Sequence, residues 1–133
     1  MREAVERLGH RVACNQIEYH PFLAQRRVID YARGHGIAIT AYCPLARGKL
    51  MGHPVAEQIA KKYGKTANQV GLRWLLEQPG VLAIPKTGSL AHARENIGLF
   101  DFALDAEDHR ALEGLAANTR LVSPAWAPKW DAA

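Results

Sequence analysis

The sequence predicts an α/β protein with parallel strands, and three observations support this. Apolar, β-branched segments alternate with amphipathic ones along the 133 residues, in the order strand, helix, strand, two helices, strand, two helices. The second strand, 37–42 (IAITAY), is almost continuously apolar, as expected when both faces are buried. Each strand ends in polar side chains, where parallel α/β enzymes commonly build their sites.

Composition and charge narrow the functional classes. Hydrophobic residues make up 48% of the chain and charged residues 23%, as in ordinary globular proteins. The net charge is +4, but the charges are mixed along the chain, so we expect no nucleic-acid partner. A basic pocket for a small anionic ligand explains the excess of positive charge equally well. The apolar runs are far shorter than the ~20 residues of a membrane span, so we expect no membrane partner.

Two cysteines, Cys14 and Cys43, lie in or beside the apolar strands. The N-terminus carries no export signal, so both are expected to be reduced thiols in a cytoplasmic protein. Two cysteines without further ligands at close spacing predict no metal site.

The first half of the chain contains two predicted strands. Residues 2–8 read as a short amphipathic helix, followed by a strand over 12–19 that Pro21 closes, because proline cannot continue a central ladder. An amphipathic helix over 25–33 then leads to the strand over 37–42.

The second half is organised by helix caps. A helix over 54–63 precedes the sequence TANQ, in which Thr66 and Gln69 form a capping box that opens a helix ending near 79–80. The third strand is predicted over 81–84. Two further helices begin after the predicted caps Ser89 and Asp105. The apolar face of the first of these comprises Leu90, Ala93 and Ile97.

Three segments follow one another in a recognisable order and spacing. They are 15–21 (NQIEYHP), 41–45 (AYCPL) followed by 47–48 (RG), and 84–87 (IPKT) followed by 95–96 (EN). Together they resemble the aldo-keto reductase family, whose members use NADPH to reduce aldehydes and ketones.

The resemblance implies a particular part of that family's fold. Residues 1–133 would form the C-terminal part of a (β/α)8 TIM barrel, its last three strands and helices, with 117–133 as a tail like the family's substrate loop. Within the family, the tail segment 120–124 (RLVSP) with Trp130 and Asp131 is most similar to the bacterial 2,5-diketogluconate reductases of the B type.

The resemblance also implies what this chain lacks. The family's catalytic tetrad of Asp, Tyr, Lys and His lies on earlier strands, so we predict no catalytic residue here. Tyr19 and His20 belong to a different motif and are not candidates. The chain is therefore expected to carry much of a cofactor site and to be inactive alone. Its three strands leave open sheet edges through which it is expected to self-associate.

The nicotinamide end of the predicted site falls on the first two strands. Gln16 matches the glutamine that hydrogen-bonds the carboxamide, a group that requires both a donor and an acceptor. Tyr42 matches the aromatic residue that stacks under the nicotinamide ring. The alternatives are a strand-end glutamine bonded to backbone and a core tyrosine.

The loop after the second strand matches the family's pyrophosphate region. Cys43 stands where many relatives have serine, and Leu45 and Arg47 lie on the loop that folds over the pyrophosphate. A buried inert thiol and a solvated arginine are equally valid interpretations of Cys43 and Arg47.

The adenosine end falls after the third strand. Lys86 and Thr87 match the pair that meets the 2′-phosphate, and a helix N-terminus after a barrel strand is a common anion site. His92 stands where the family usually has an arginine, and Arg94 lies nearly opposite on the helix. NADPH is therefore the predicted cofactor and NADH is not excluded. The pair matching the adenine contacts is Glu95 and Asn96.

The tail offers the only predicted substrate residues. Trp126 and Trp130 resemble the segment that walls the family's substrate pocket, here for a small carbonyl compound such as methylglyoxal or a diketogluconate. Alternatively, they anchor the tail to the body.

Two other interpretations of the whole chain remain open. It is either a catalytically inactive nucleotide-binding half-barrel or a truncated gene product without function, with Met1 an internal start. The DNA upstream of Met1 distinguishes the last case.

Overall fold

The structure is a computed structural model that describes residues 1–127. Its centre is a parallel sheet with strand order β1-β2-β3, which confirms the predicted fold class. The strands are β1 (Cys14–Glu18), β2 (Ala38–Tyr42) and β3 (Val81–Ala83). The helices are α1 (Arg26–Gly34), α2 (Pro54–Tyr63), α3 (Ala67–Leu76), α4 (Leu90–Ile97) and α5 (Ala106–Glu113), with a short π-helical segment at Glu3–Arg7. Trp130 and the rest of 128–133 lie outside the described residues.

The sheet has two unlike faces. Side chains alternate along a strand, so Ile39 and Ala41 point to the side covered by helices and are buried. We call this side the helix face. Thr40 pairs in register with Gln16 on one side and Leu82 on the other, and these three share the opposite, open face. The prediction that β2 is buried on both faces was therefore wrong.

The hydrophobic core lies between the helix face and the helices. Tyr19 packs against Trp74 of α3, with ring centroids 5.3 Å apart. Leu75 and Leu112 extend the core toward α3 and α5, and both are fully buried. The N-terminal segment adds Val5 to the edge of this core.

Local cap chemistry sets most of the helix boundaries. Thr66 and Gln69 form both bonds of the predicted capping box: Gln69 N donates to Thr66 Oγ1 at 3.2 Å, and Thr66 N donates to Gln69 Oε1 at 3.0 Å. The predicted caps Ser89 and Asp105 also accept amide hydrogen bonds from the first turns of α4 and α5. Gly64 ends α2 at φ 63°, a conformation that favours glycine.

The apolar face of α4 lies in solvent. Leu90 and Ile97 are 67% and 70% exposed, and Ala93 is exposed as well. Leu82 and Phe100 are also exposed, at 57% and 68%. The sequence pattern correctly identified a helix with an apolar face, but nothing in residues 1–127 covers that face.

No helix in the described part of the chain is both long enough and apolar enough to cross a membrane.

Candidate cofactor site

The open face brings the two predicted nicotinamide contacts onto adjacent strands. Gln16 lies in β1 and is exposed. Tyr42 is the last residue of β2, half-buried, and pairs in register with Glu18. Burial, followed by the nearby Glu18 carboxylate, raises the pKa of the Tyr42 hydroxyl. Tyr42 is therefore a neutral, half-buried aromatic residue at the end of β2.

The loop that follows Tyr42 has an unusual backbone. Cys43, Ala46 and Arg47 have φ values of 54°, 48° and 53°, in the left-handed region that residues other than glycine seldom adopt. Each such residue costs on the order of 1 kcal/mol, and strained backbone of this kind concentrates at ligand sites. The tight turn is closed by Ala46 N donating to Cys43 O at 2.9 Å.

The same loop is fixed against α3. Leu50 is fully buried on Gly71, where any side chain would collide with it. This close approach holds the loop against the middle of α3.

A cleft of about 420 Å³ opens between this loop, α3 and α4. Six of the ten predicted cofactor residues line it: Leu45, Lys86, Thr87, His92, Glu95 and Asn96. The remaining four predicted contacts do not line it: Gln16 lies in β1, Tyr42 ends β2, and Cys43 and Arg47 lie on the loop that follows β2. Arg94 is exposed and does not line the cleft.

The N-terminus of α4 lies at one end of this cleft. Ser89 N donates to Thr87 Oγ1 at 3.1 Å, and His92 N donates to Ser89 Oγ at 3.4 Å. Lys86 precedes this turn, and its ammonium group is exposed and forms no ion pair within residues 1–127. The other cleft lysine, Lys65, bonds Asp101 at 2.7 Å. Lys86 is therefore an available cation that lines the cleft beside the helix end.

The other lining residues include one that sequence reasoning missed. Asn68, in the first turn of α3, lines the cleft, and its side-chain Oδ1 is buried without a hydrogen-bond partner in the described structure. Such orphaned polar atoms are uncommon in folded proteins. Asn68 lies inside the capping-box sequence, so only the three-dimensional packing identifies it.

Glu95 is held in place by α3. Thr66 Oγ1 donates to Glu95 Oε1 at 2.6 Å, and Gln69 Nε2 donates to the backbone oxygens of Glu95 and Gly98 at 2.9 and 2.8 Å. The cap of one helix thereby fixes the position of the next.

The tail crosses the carboxyl end of β1. Thr119 N donates to Phe22 O at 3.0 Å, and Leu121 N and Val122 N donate to the two oxygens of Glu18 at 2.6 and 3.1 Å. Glu18 is fully buried, although a glutamate in an alternating strand would ordinarily be assigned to solvent. Trp126 is 85% exposed, so it does not anchor the tail.

Two polar residues next to Glu18 lie in the interior. His20 is fully buried and bonds Glu18 at 3.1 Å, and burial lowers the pKa of its imidazole. Tyr19 faces the core, and burial raises the pKa of its hydroxyl to about 12. Neither presents a reactive group to the open face. Within residues 1–127, no cluster of three or more His, Cys, Asp or Glu side chains is arranged to hold a metal.

Comparison with known proteins identifies the family. A model of the aldo/keto reductase family matches residues 1–117. This chain belongs to the aldo/keto reductase family. It is 41% identical to the methylglyoxal reductase DkgB of Salmonella typhi over 133 residues, which is 98% of this chain and 49% of that protein.

Solved structures agree in fold. A protein provisionally assigned as a 2,5-diketo-D-gluconic acid reductase B superimposes with a TM-score of 0.86 at 45% identity, over 90% of this chain and 43% of that one. A mutant of Gox0644 in complex with NADPH superimposes with a TM-score of 0.85 at 32% identity, over 92% of this chain and 45% of that one. The chain thus spans about half the length of these relatives, and its parallel strands match part of a (β/α)8 barrel.

Proposed function

We propose that this chain supplies the cofactor-binding part of an aldo-keto reductase that uses NADPH to reduce small aldehydes and ketones of the methylglyoxal or diketogluconate type. The observation that carries the proposal is the cleft between the β2–α2 loop, α3 and α4. It gathers six residues that were assigned to the cofactor from sequence motifs far apart in the chain.

The cleft suits the phosphorylated adenosine end of such a cofactor. Lys86 supplies an uncompensated positive charge, Thr87 a hydroxyl group, and the N-terminus of α4 a partial positive charge. The orphaned Asn68 amide and Asn96 provide the donors and acceptors that an adenine edge requires. His92 takes the place of the family's usual arginine, so the preference for NADPH over NADH is expected to be modest.

The open face suits the nicotinamide end. When bound there, the nicotinamide supplies the hydride. Gln16 offers an exposed carboxamide to hold the ring's own carboxamide, and Tyr42 offers an aromatic surface for the ring. The turn at Cys43 and Arg47 lies between the two ends.

The chain alone is proposed to bind without catalysing. Carbonyl reduction needs a proton donor beside the substrate. Tyr19 lies on the helix face with a raised pKa, His20 is buried against Glu18, and Tyr42 is assigned to the ring. The remaining protein would supply the donor in a whole enzyme.

Titration of the purified chain with NADPH, NADH and 2′,5′-ADP, followed by calorimetry, tests the binding. We expect saturable binding of NADPH and of 2′,5′-ADP, with NADH weaker. Absence of saturation by any of the three at millimolar concentration would refute the proposal. Because the cleft is lined by residues of this chain, a nucleotide-binding module without catalysis is the second candidate function. NADPH oxidation with methylglyoxal, followed at 340 nm, separates binding from catalysis; a rate above the protein-free blank would contradict the proposed inactivity.

A further inference from the structure

The buried Glu18 carboxylate has a role that the motifs do not assign. It lies at the end of β1 on the open face, with an accessible area of 0%, and a charge in such a position is costly unless it is paired and hydrogen-bonded. Its partners come from both the sheet and the tail. They are His20 Nε2 at 3.1 Å, Leu121 N at 2.6 Å, Val122 N at 3.1 Å and Arg120 Nη1 at 3.9 Å.

The three partners from the tail fall into two groups with different consequences. The two backbone amides are strong, charge-assisted donors that fix the tail across the strand end. Arg120 also lies beside the neighbouring strand, where its guanidinium group lowers the pKa of the Tyr42 hydroxyl. Glu18 and Tyr42 pair in register on β1 and β2, and Arg120 lies 3.9 Å from Glu18, so its side chain sits at the ends of two adjacent strands.

We propose that Glu18 is a positioning residue: its carboxylate fixes the tail segment 119–122 over the sheet and, through Arg120, sets the position of Tyr42 for nicotinamide binding. This inference rests on the proposed function for the role of Tyr42, but the anchor itself is independent of it. We call Glu18, Arg120 and the amides of Leu121 and Val122 the tail anchor.

The first test measures the anchor directly. Glu18→Gln leaves one acceptor oxygen and turns an NH2 group toward a second backbone donor. Amide exchange of Leu121 and Val122, followed by NMR, is expected to accelerate roughly tenfold or more, since a hydrogen bond to a charged group contributes about 1.5–3 kcal/mol. Gln69, whose amide binds Thr66 Oγ1 at the start of α3, is the internal reference outside the tail. Unchanged exchange at Leu121 and Val122 relative to Gln69 would overturn the anchor.

The second test separates positioning from general stabilisation. Burial raises the pKa of the Tyr42 hydroxyl most, Glu18 and Cys43 raise it further, and Arg120 lowers it. Glu18→Gln should therefore lower that pKa and Arg120→Met should raise it. The pKa is followed by NMR from the pH dependence of a Tyr42 ring-carbon signal, and the Tyr42→Phe variant assigns that signal. A general loosening of the structure would instead lower the pKa of Tyr42 in both variants, toward its ordinary value of 10. A parallel decrease would refute this role of Arg120, and Arg120→Lys should restore part of the shift.

The third test connects the anchor to the cofactor. Both anchor variants should weaken NADPH binding severalfold while leaving 2′,5′-ADP binding unchanged, because 2′,5′-ADP lacks the nicotinamide that Tyr42 would hold. Equal losses of affinity for NADPH and 2′,5′-ADP, or no loss for either ligand, would overturn the positioning role. If the unmodified chain binds neither ligand, the proposed function fails, and the exchange and Tyr42 titrations still decide the anchor. Arg120→Met keeps the test usable if Glu18→Gln does not fold.

Discussion

The two faces of the sheet differ in what holds their residues in place. On the helix face, Ile39 and Ala41 are buried under α1 and α3 in a continuous core. On the open face, Gln16 is exposed and Leu82 is 57% exposed, and the tail segment 119–122 crosses the end of β1. Stability is therefore concentrated on one face, while the residues assigned to the nicotinamide lie on the other. A matched pair of leucine substitutions, one on each side, tests this division.

The largest expected effect is a loss of stability when a side chain on the helix face is truncated. Leu75→Ala removes a fully buried side chain from the core and should reduce the free energy of unfolding by about 3 kcal/mol. Leu82→Ala on the open face should change it by less than about 0.5 kcal/mol. Urea titration followed by circular dichroism measures both.

A large loss in Leu82→Ala would contradict the division between faces. It would show that Leu82 is buried in solution. Light scattering, which measures the oligomeric state, tests whether association buries it. The open edges and the exposed apolar surface predict association of the unmodified chain, which Leu82→Ala should reduce.

The next effect concerns binding rather than stability. Lys86→Ala removes the uncompensated cation from the cleft. It should weaken NADPH binding about tenfold, as expected for the loss of one charge-assisted contact. NADH should be almost unaffected, because it lacks the 2′-phosphate. Lys61→Ala, an exposed lysine on α2 outside the cleft, is the control. Equal losses of NADPH and NADH in Lys86→Ala would place Lys86 elsewhere than at the 2′-phosphate.

Local chemistry made the covered side predictable from sequence. The caps at Thr66, Ser89 and Asp105 involve residues within three positions of one another, so their hydrogen bonds follow from short segments. The order of strands and helices followed from periodicity for the same reason.

Long-range packing made the open side unpredictable. The apolar face of α4 was visible in Leu90 and Ile97, but whether another layer covers it depends on distant chain. The burial of Glu18 could not be predicted from nearby residues because its partners, Leu121 and Val122, lie more than a hundred positions away. Its only sequence signals were His20 two residues later and Arg120 in the tail.

A smaller binding effect tests the residue that the motifs missed. Asn68→Ala removes the orphaned amide from the cleft. It should weaken 2′,5′-ADP binding about fivefold, which corresponds to the loss of one neutral hydrogen bond. The stability of the free protein should hardly change, because the amide oxygen has no partner to lose within residues 1–127. Gln58→Ala on the exposed side of α2 is the control. A loss of stability without a loss of affinity would assign Asn68 to the α3 cap instead.

The smallest expected effect is a pH dependence on the covered side, where α5 docks onto α2. Lys62 is the main cause that lowers the pKa of Asp105 from 3.8 to about 2, assisted by the amides of Asp108 and Glu107. A carboxyl with a lowered pKa stabilises the fold above 3.8, and this contribution is lost as the pH falls through about 2.

Asp105→Asn isolates that charge, because asparagine remains a good helix cap. The Tm of the unmodified chain should therefore fall more steeply than that of Asp105→Asn between pH 3.8 and about 2. Differences between the two proteins remove the contributions of other carboxyls, including Asp101, whose pKa is lowered by Lys65. Parallel curves would mean that Lys62 and Asp105 are solvated separately, and that α5 is held on the helix face by its apolar contacts, such as Leu112, alone.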